Sequence, residues 1–584
     1  MCGIAGISIE KPNSRLQKKI LEMKNLLSHR GPDSSGEFHS SYVSLIHTRL
    51  SIIDLDGGNQ PIENNDMILV ANGEIYNDLE IRKTIKKYKY KTNSDSESIM
   101  AAYYEFGLSG LKKLRGMYAF ALYDKKTEQT ILGRDDFGIK PLYFSMITEG
   151  VIFSSEISAI VKLGIKCFDL SKFKLLEFLQ LQYCSGNRTI YENILRIRPG
   201  ETLVIQKGKI IRSILNEFLE KKNTIKKKIT KDYTTDALME SVSVHLRSDV
   251  PYCVFFSGGI DSTLVLYFMS LLKLNKISAY TIGFNGMNSN FDQNLKVLAS
   301  KFNVEFTKIN FDQNDFWNLL PFAAQNIDEP IADYAILPTF KLAREASKNF
   351  KVVLTGEGGD ELFGGYGRYR SLMKTFFKKK RKYTNGAFSN LGFFKQYKEY
   401  WDFDLKKIDQ KTENLEISEL QKYQLFDYFN WLPNDLLVKL DRCLMTYGVE
   451  GRTPLVDKEL FKKFFYVEDK IKIKKNYGKF FIREFLDSKL NFYNPYAKKE
   501  GFTVPISEWI PEKSRYLEEF LPKIDILKMF FKKSDLVDLC RSVKMNKRLV
   551  KPLWHLIFFS IWHLANESEI DISGNYFDVI SECR

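Results

Sequence analysis

The chain has 584 residues, of which 44% are hydrophobic and 27% charged, with 87 Lys and Arg against 72 Asp and Glu. A single hydrophobic core does not grow to that length, so two or more domains are expected, and the ordinary composition excludes a largely disordered chain. The net charge of +15 comes from scattered lysines without interleaved aromatic residues, which argues against a nucleic-acid partner.

The start of the chain and its cysteines predict a cytoplasmic protein. The sequence does not open with a basic segment followed by an apolar one, as a secretory leader would. No run reaches the roughly 18 apolar residues of a membrane span, so no membrane partner is expected. The seven cysteines contain no CxxC pair, which fits a reducing compartment.

Residues 1–205 predict a sheet-rich first domain. Short apolar runs such as IAGISI, VSLIHTRLSII and YAFALYD stand between Gly, Asn and Asp turns, a pattern typical of β-strands. Helices are expected at 16–27 and after Ser94, where Ser-Asp-Ser-Glu is similar to a capping box. An α+β sandwich follows from this mixture.

Residues 206–230 turn polar and lysine-rich without a sustained apolar face, so we place a linker there.

The remainder, residues 231–584, predicts a parallel α/β sheet with a helical C-terminal part. CVFF leads through SGGIDST into the apolar LVLYFMSLLKL, which indicates a strand, a glycine turn and a helix. AYTIGF, VEFTKI and VVLTG are further buried-strand candidates separated by helical patterns, the alternation that parallel sheets produce. After about residue 427 long helical patterns dominate.

Cys2 stands directly after the initiator methionine. Removal of Met1 would leave it with a free α-amine, whose pKa of roughly 7.7 to 8.0 lets it accept the thiol proton at neutral pH. Nucleophile and base would then belong to one residue. A cysteine at this position means nothing by itself, so the interpretation depends on the motifs around it.

Six motifs follow one another within the first hundred residues: CGIAG, SHRGPDSSG, HTRLSIID, NQPI, NGEIYN and SDSE. Together they resemble the N-terminal-nucleophile glutaminase domain of the asparagine synthetase family. The resemblance implies that Cys2 hydrolyses glutamine to glutamate and ammonia, and that Asn72 and Gly73 form the oxyanion hole that acyl transfer needs. The glutamine-binding residues that it implies are Arg49, Ile53, Asn72, Glu74 and Asp95. The guanidinium of Arg49 would hold the α-carboxylate, while Glu74 and Asp95 would receive the α-ammonium and other polar groups.

Residues 256–263, FSGGIDST, place a glycine loop between a buried strand and a helix. Free backbone N–H groups and the helix dipole favour phosphate oxygens there, although a simple tight turn would also explain the glycines. The lysine of a Walker A loop is absent, so cleavage of the γ-phosphate gets no support. The loop predicts an anion cradle.

A second glycine-rich block, VLTGEGGDELFGGY at 353–366, adds acidic side chains to this region. Magnesium is typically held by one or two carboxylates together with substrate phosphates, so Asp261 and Asp360 are predicted to bind Mg²⁺. Glu357 is expected to contact the acceptor or the attacking ammonia. Its alternative role is to cap N–H groups of its own loop.

Both blocks resemble the ATP-pyrophosphatase-like synthetase domain of the same family, SGGIDS matching its pyrophosphate loop and 353–366 its SGEGADELFGGY signature. Further matches, which carry the likeness along nearly the whole chain, lie at 328–330, 437–442, 448–457 and 498–505. The likeness implies that Lys499 neutralises phosphate charge as an adenylate forms. The ATP-binding candidates are Phe256, Ser257, Gly258, Gly259, Asp261, Ser262, Ile282, Leu354, Thr355 and Gly356, although core packing explains Phe256, Ile282 and Leu354 equally well.

The resemblance implies a glutamine-hydrolysing asparagine synthetase that uses ATP and Mg²⁺. Ammonia from glutamine would displace AMP from an aspartyl adenylate, and pyrophosphate would be the other product of ATP. A dry passage would keep the ammonia unprotonated between the two sites. The small-molecule partners are glutamine, ATP and a carboxylate acceptor, and a homodimer is compatible with the sequence.

Three alternatives stay open. The same chemistry could act on another carboxylate, such as a sugar acid of surface-polysaccharide synthesis, because GVEGRTPLVD at 448–457 departs from the family's SLEVRVPFLD and 374–422 matches no motif. An RNA-modifying ATP pyrophosphatase would have no evident use for a glutaminase, and no RNA-binding motif is visible. A non-catalytic scaffold predicts loss of the reactive residues, all of which are present.

Overall fold

The computed structural model describes residues 2–64, 66–216, 229–272, 276–284, 289–373, 382–389, 391, 401–497, 504–568 and 570–582. They form an N-terminal part with antiparallel sheets, up to residue 216, and a C-terminal part with a parallel sheet and many helices, from residue 229. Lys499, predicted to neutralise phosphate charge, lies outside the described residues. Among the described residues, no helix is long and apolar enough to span a membrane.

The N-terminal part contains two six-stranded sheets. Its strands are β1 (Gly3–Ile9), β2 (Ser34–His39), β3 (Val43–Arg49), β4 (Ile62–Asn64), β5 (Met67–Ile75), β6 (Gly116–Asp124), β7 (Gln129–Arg134), β8 (Tyr143–Ile147), β9 (Gly150–Ser154), β10 (Ile194–Arg196), β11 (Glu201–Gln206) and β12 (Lys209–Leu215). The strand orders are β10–β8–β9–β1–β3–β2 and β12–β11–β7–β6–β5–β4, with antiparallel neighbours. Side chains of both sheets, among them Ile4, Leu45, Val70 and Leu132, share one buried core.

Helices cover the outer faces of these sheets. They are α1 (Ser14–Ile20), α2 (Glu22–Leu26), α3 (Asp78–Thr84), α4 (Glu97–Phe106), α5 (Ile157–Val161) and α6 (Lys172–Leu181). The helices α1, α2 and α5 contact the first sheet, whereas α3 and α4 pack on the second. Because helices cover them on one side and the facing sheet on the other, β1 and β3 are buried along their full length. The helix predicted at 16–27 is interrupted at Leu21, and the one predicted after Ser94 begins at Glu97.

The strand β12 extends the N-terminal part beyond the boundary predicted at residue 205. It pairs with β11 at the edge of the second sheet, so the segment predicted as a linker from residue 206 begins with sheet structure. Most of its side chains are exposed or half-buried, because an edge strand with one solvated face lacks a continuous apolar pattern. Residues 217–228 of the predicted linker lie outside the described residues.

The parallel sheet predicted for the C-terminal part is confirmed. Its strands are β13 (Tyr252–Phe255), β14 (Ile277–Phe284), β15 (Val304–Phe311), β16 (Val352–Leu354) and β17 (Glu450–Arg452), in the order β15–β14–β13–β16–β17. All neighbours are parallel. The carboxyl ends therefore share one edge, where the loops after β13 and β16 meet, and this edge is where open α/β sheets bind ligands.

Helices make up most of the C-terminal part, as predicted. They are α7 (Lys231–His245), α8 (Ile260–Leu271), α9 (Ser289–Phe302), α10 (Gln313–Gln325), α11 (Ile336–Ala346), α12 (Gly359–Phe363), α13 (Gly367–Leu372), α14 (Phe403–Glu413), α15 (Glu419–Phe429), α16 (Leu437–Met445), α17 (Lys458–Phe464), α18 (Asp469–Lys472), α19 (Phe480–Lys489), α20 (Ile506–Glu512), α21 (Ser514–Phe520), α22 (Asp525–Lys528), α23 (Lys533–Ser542), α24 (Val550–Glu567) and α25 (Tyr576–Ser581). The apolar α24 is mostly buried, and its Trp554 Nε1–H donates to the Ala332 carbonyl at 2.7 Å. It is a core helix.

Candidate active sites

Cys2 lies immediately before β1 in a closely packed environment. Only 7% of it is exposed. Its backbone N–H donates to Asn72 Oδ1 at 3.0 Å, and Arg30 Nε–H donates to its carbonyl oxygen at 3.2 Å. Burial is the largest influence on the thiol and raises the pKa of Cys2. Since a neutral thiol is a weak nucleophile, this cysteine needs a base that takes its proton.

Asn72 carries an amide donor that no described residue uses. Its Oδ1 accepts the Cys2 N–H, whereas its Nδ2 is buried without a hydrogen-bond partner. Buried donors in native proteins are nearly always paired, and this one, beside Cys2, is available to an acceptor on a substrate. Gly73 follows with φ of 137°, and a Cβ there would lie 1.9 Å from the Met117 carbonyl oxygen. The two predicted oxyanion-hole residues thus lie beside the cysteine.

We expect Asn72→Ala to lower the turnover number for glutamine hydrolysis by roughly 10²- to 10³-fold, which is the usual effect of removing one oxyanion donor. The Michaelis constant for glutamine should change little, because the donor acts on charge that develops in the transition state. Glutamate release at limiting and saturating glutamine separates the two constants. Asn25→Ala, at an exposed position, is the control. A turnover number equal in both variants would contradict the assignment.

Arg49 donates to four groups within its own loop region. Its guanidinium contacts the carbonyl oxygens of Ile53 (3.3 Å), Asp54 (2.6 Å) and Leu55 (3.0 Å) and the side-chain oxygen of Asn59 (2.9 Å). The fork therefore orders the loop after β3, and this loop includes the predicted glutamine contact Ile53. Binding of the glutamine α-carboxylate by Arg49 stays a prediction, and it would require these donors to be shared.

Glu74 and Asp95 lie together at the end of β5, as their predicted shared role requires. Asp95 accepts the Ile75 N–H at 2.5 Å, and burial raises the pKa of Asp95 to about 6. Burial and the neighbouring Asp95 raise the pKa of Glu74 well above its usual value, while Arg452 of the C-terminal part acts in the opposite direction. Arg452 Nη2 lies 3.2 Å from Glu74 Oε1. No local sequence motif predicts an arginine of the C-terminal part at this position.

The glycine loop 256–263 joins β13 to α8 as predicted. Its hydroxyl groups stabilise it from within, because Ser262 Oγ accepts the Ser257 N–H and donates to the Gly259 carbonyl, each at 3.2 Å. Gly258 has φ of 72°, and Gly259 is the N-cap of α8. The first N–H groups of this twelve-residue helix are the donors that an N-terminus offers to phosphate.

The loop after β16 packs directly on this glycine loop. A Cβ on Gly356 would lie 2.8 Å from the Ser262 nitrogen, and one on Gly359 would lie 2.2 Å from Asp261 Oδ1. Only glycine permits this approach, which brings the two predicted ATP-binding segments together. Thr355, which precedes them, is buried and donates its N–H to the Arg452 carbonyl at 2.9 Å.

Asp261 and Asp360, the predicted Mg²⁺ ligands, converge on Lys479. The lysine Nζ forms an ion pair with each carboxylate, at 2.7 Å from Asp360 Oδ1. Two carboxylates that share one cationic group also lie close enough to share a metal ion, so they fit Mg²⁺ when phosphates supply other ligands. Among the described residues, no group of three or more His, Cys, Asp or Glu forms a metal site, so a cation here would depend on substrate oxygens.

Lys479 was not predicted from the sequence, where Lys499 is the lysine expected to neutralise phosphate charge. It is buried before α19 with φ of 54°, and its N–H donates to the Phe363 carbonyl at 3.2 Å. Both aspartates raise the pKa of Lys479, so it is charged at neutral pH. Its motif, NYGK, is far from either aspartate along the chain, so no local spacing could have identified it.

Glu357 is half-buried and forms no hydrogen bond or ion pair with any residue that the structure describes. Its predicted alternative role, capping of its own loop, is therefore not seen. Burial raises the pKa of Glu357, and the nearby Lys439 counteracts this shift. Lys439 Nζ in turn lies 2.6 Å from Asp333 Oδ2. A carboxylate without a described partner beside the nucleotide loops is suited to a ligand contact.

Three predicted nucleotide contacts belong to the hydrophobic core. Phe256, Ile282 and Leu354 are at most 3% exposed. The Phe256 ring packs 5.1 Å from that of Phe306, measured between centroids. Core packing, the alternative considered for these positions, therefore accounts for their side chains, and a nucleotide contact through them stays a prediction.

A polar layer connects the two parts close to Cys2. Arg30, which holds the Cys2 carbonyl, also binds Asp441 of α16 through two contacts, Nη1–Oδ2 at 2.9 Å and Nη2–Oδ1 at 3.2 Å. Next to it, Arg442 pairs with Glu156 of the N-terminal part. The LVKLDR motif at 437–442 thus contacts the cysteine site as well as the environment of Glu357.

Two family models match the chain. One, described as "Glutamine amidotransferase domain", covers residues 1–216, and the other, described as "Asparagine synthase", covers residues 234–564. The first therefore covers the part with Cys2 and Asn72, and the second covers the part with the glycine loops.

Relatives match along most or all of their lengths. Asparagine synthetase [glutamine-hydrolyzing] 1 of Bacillus subtilis is 29% identical over 97% of this chain and 97% of its own. Putative asparagine synthetase [glutamine-hydrolyzing] 2 of Methanocaldococcus jannaschii is 33% identical over 63% of this chain and 76% of its own. Amidase chry2 of Gibberella zeae is 30% identical over 64% of this chain and 60% of its own. With an asparagine synthase match over more than half of its length and an amidotransferase match before it, the chain belongs to the asparagine synthase family of glutamine-dependent amidotransferases.

Proposed function

We propose that the chain is a glutamine-hydrolysing asparagine synthetase that converts glutamine, aspartate and ATP into glutamate, asparagine, AMP and pyrophosphate. The observation that carries the proposal is the pairing of two sites in one chain. The unpartnered Asn72 amide lies beside Cys2, and two glycine loops meet at Asp261 and Asp360. Amidotransferase chemistry needs both an ammonia source and an activated carboxylate.

In the N-terminal part, the Cys2 sulfur would attack the side-chain amide carbon of glutamine. Removal of Met1 supplies the base, because the free α-amine takes the thiol proton and passes it to the departing ammonia. The Asn72 Nδ2 donor and the Gly73 N–H would stabilise the oxyanion of the tetrahedral intermediate. Water then releases glutamate from the thioester and restores the cysteine.

In the C-terminal part, the acceptor carboxylate would attack the α-phosphorus of ATP and displace pyrophosphate. The N–H groups at the start of α8 would bind the phosphates, and the ammonium of Lys479 would offset their charge. Magnesium held by Asp261 and Asp360 would neutralise phosphate oxygens. Glu357 would accept a proton from ammonia as it attacks the acyl carbon and AMP leaves.

Removal of divalent cations should separate the two activities. With EDTA in excess, we expect AMP formation to stop, because uncompensated phosphates cannot approach the two aspartates. Glutamine hydrolysis should persist, since no metal ligand is proposed in the N-terminal part. AMP and glutamate are measured in the same samples, with Mg²⁺ restored as the control. Equal loss of both activities would contradict separate sites.

Aspartate is the proposed acceptor, and another carboxylate is the second candidate. Support for aspartate comes from relatives that are named asparagine synthetases, whereas another relative, Amidase chry2, carries a different name. Incubation with glutamine, ATP, Mg²⁺ and a panel of amino acids and sugar acids, read by mass spectrometry, tests the choice. AMP formed with a sugar acid and not with aspartate would overturn it. ADP as the product would contradict activation through an adenylate.

The remaining alternatives have less support. An RNA-modifying pyrophosphatase does not account for an amidotransferase match over residues 1–216, and a scaffold protein does not account for the unpartnered donor of Asn72.

We also propose a cytoplasmic location, which is supported by the cysteines. All six cysteines that the structure describes are free of disulfide bonds, as a reducing compartment requires.

A further inference from the structure

Arg452 is completely buried between the two candidate sites. It is the last residue of β17, which lies beside β16 with Leu354 opposite Arg452. β17 is the last strand in the order of this sheet, and its carboxyl end lies beside the start of the loop after β16, which we call the nucleotide loop. Its side chain extends to the glutamine site of the N-terminal part. One residue therefore has its backbone at one site and its charge at the other.

The backbone of Arg452 holds the start of the nucleotide loop. Its carbonyl oxygen accepts the Thr355 N–H at 2.9 Å, immediately before Gly356. Gly356 in turn packs against Ser262 of the first glycine loop. A shift of the nucleotide loop on binding ATP would therefore act on the main chain of Arg452.

The guanidinium of Arg452 is fixed on three sides. Its Nε–H donates to Glu450 at 2.5 Å, and its Nη1–H groups donate to the carbonyl oxygens of His245 (2.8 Å) and Arg247 (2.5 Å). The remaining nitrogen, Nη2, lies 3.2 Å from Glu74 Oε1 but has no hydrogen-bond partner. Three hydrogen bonds thus hold the arginine in place. Its contact with Glu74 is an ion pair without a hydrogen bond.

Glu74 needs such a cation to serve as an ammonium receptor. It is buried and lies near Asp95 and Glu450, both of which oppose its ionisation. A buried carboxylate among other carboxylates takes up a proton unless a cation compensates it. Burial keeps the pKa of Glu74 raised even beside Arg452. Loss of the Arg452 charge, 3.2 Å from Glu74 Oε1, would disfavour the ionised carboxylate further and weaken its binding of the ammonium group of glutamine.

We infer that Arg452 is a positioning residue that holds Glu74 ready for the ammonium group of glutamine and couples it to the nucleotide loop. The inference rests on the proposed function and on the predicted binding of the glutamine α-ammonium by Glu74. It assigns to one arginine of the C-terminal part a task in the N-terminal site. Arg452 touches neither the reacting sulfur nor the phosphates, and it acts through Glu74 and Thr355.

The test compares Arg452→Lys and Arg452→Met with the wild-type protein in three assays. In glutamine hydrolysis, we expect the Michaelis constant to rise about tenfold for Met and less for Lys, because a hydrogen-bonded buried charge is lost or only partly replaced. The turnover number at saturating glutamine should stay close to wild type. With ammonium chloride instead of glutamine, AMP formation should also be retained, which shows that the C-terminal site is folded.

The third assay repeats glutamine hydrolysis with α,β-methylene-ATP, which fills the nucleotide site without cleavage. We expect the analogue to change the Michaelis constant for glutamine in the wild-type protein and not in either variant. Arg115→Lys and Arg115→Met are matched controls. Arg115 also joins the two parts, through a two-point contact with Asp457 at 2.8 and 3.0 Å and a contact with Glu240 at 2.6 Å, but it contacts neither site.

An unchanged Michaelis constant in both Arg452 variants would overturn the positioning role. A parallel loss of ammonium-dependent activity would do so as well, since it would indicate general damage to the fold. The coupling would be overturned if the analogue left the Michaelis constant for glutamine unchanged in the wild-type protein. It would also be overturned if the analogue changed this constant in the variants as it does in the wild type. Absence of glutamine hydrolysis in the wild-type protein would instead refute the proposed function, so the two failures are distinguishable.

Discussion

Replacement of Cys2 by alanine is expected to reduce glutamine hydrolysis by roughly 10³-fold or more, because removal of a nucleophile leaves only residual transition-state stabilisation. Ammonium-dependent AMP formation should remain, since the nucleotide loops lie in the C-terminal part. Glutamate and AMP are measured separately, with glutamine or ammonium chloride as the nitrogen source.

Cys167→Ala is the control for this experiment, because Cys167 is exposed and lies outside both sites. It should behave like the wild-type protein in both assays. Retained glutamine hydrolysis in the Cys2 variant would contradict the nucleophile assignment. Loss of ammonium-dependent activity in that variant would contradict the independence of the two sites.

Replacement of Glu357 by glutamine is expected to lower acceptor-dependent AMP formation by roughly 10²-fold, as the loss of a positioned proton acceptor does. The substitution keeps the size of the side chain, and Glu357 has no partner among the residues that the structure describes. The fold should therefore be unaffected. Glutamine hydrolysis should remain, which provides an internal measure of folded protein.

Glu345→Gln is the matched control, because Glu345 lies on α11 in an ion pair with Lys348 and away from the loops. It should leave both activities intact. If the Glu357 variant formed AMP at the wild-type rate with ammonium chloride and aspartate, the proposed proton transfer would be refuted. If it lost both activities together, a structural role would explain the residue better.

Motifs of a few neighbouring residues were sufficient to predict local structure. CVFF followed by SGGIDST specifies a buried strand, a turn and a helix within a dozen residues, and this unit is observed as β13, the glycine loop and α8. The regular alternation of apolar strands and helices was also sufficient to predict the parallel sheet. In each case neighbouring residues carry the whole pattern.

Pairings between distant segments were not predictable in this way. Lys479 meets Asp261 and Asp360 only because the turn before α19 packs against the loop after β16. Arg452 reaches Glu74 across the junction of the two parts. Such contacts depend on three-dimensional packing, and neither lysine nor arginine carries a local signature for them.

An apolar sequence pattern does not distinguish a side chain in the core from one that lines a ligand pocket. Phe256, Ile282 and Leu354 follow the rule for buried strands, and their side chains are in the core. The edge strand β12 is the opposite case. Because most of its side chains are exposed or half-buried, it has too few apolar residues for its sequence to be distinguished from a linker. Burial on folding, which decides both cases, is set by elements far away in the sequence.

The central claim is that one chain transfers the amide nitrogen of glutamine to an ATP-activated carboxylate. The most direct measurement uses glutamine labelled with ¹⁵N at the side-chain amide, together with ATP, Mg²⁺ and aspartate. We predict ¹⁵N-asparagine, glutamate, AMP and pyrophosphate in equal amounts by mass spectrometry, and none of the asparagine from the Cys2→Ala variant without added ammonium. Glutamate and AMP without label in any amide product would contradict the account.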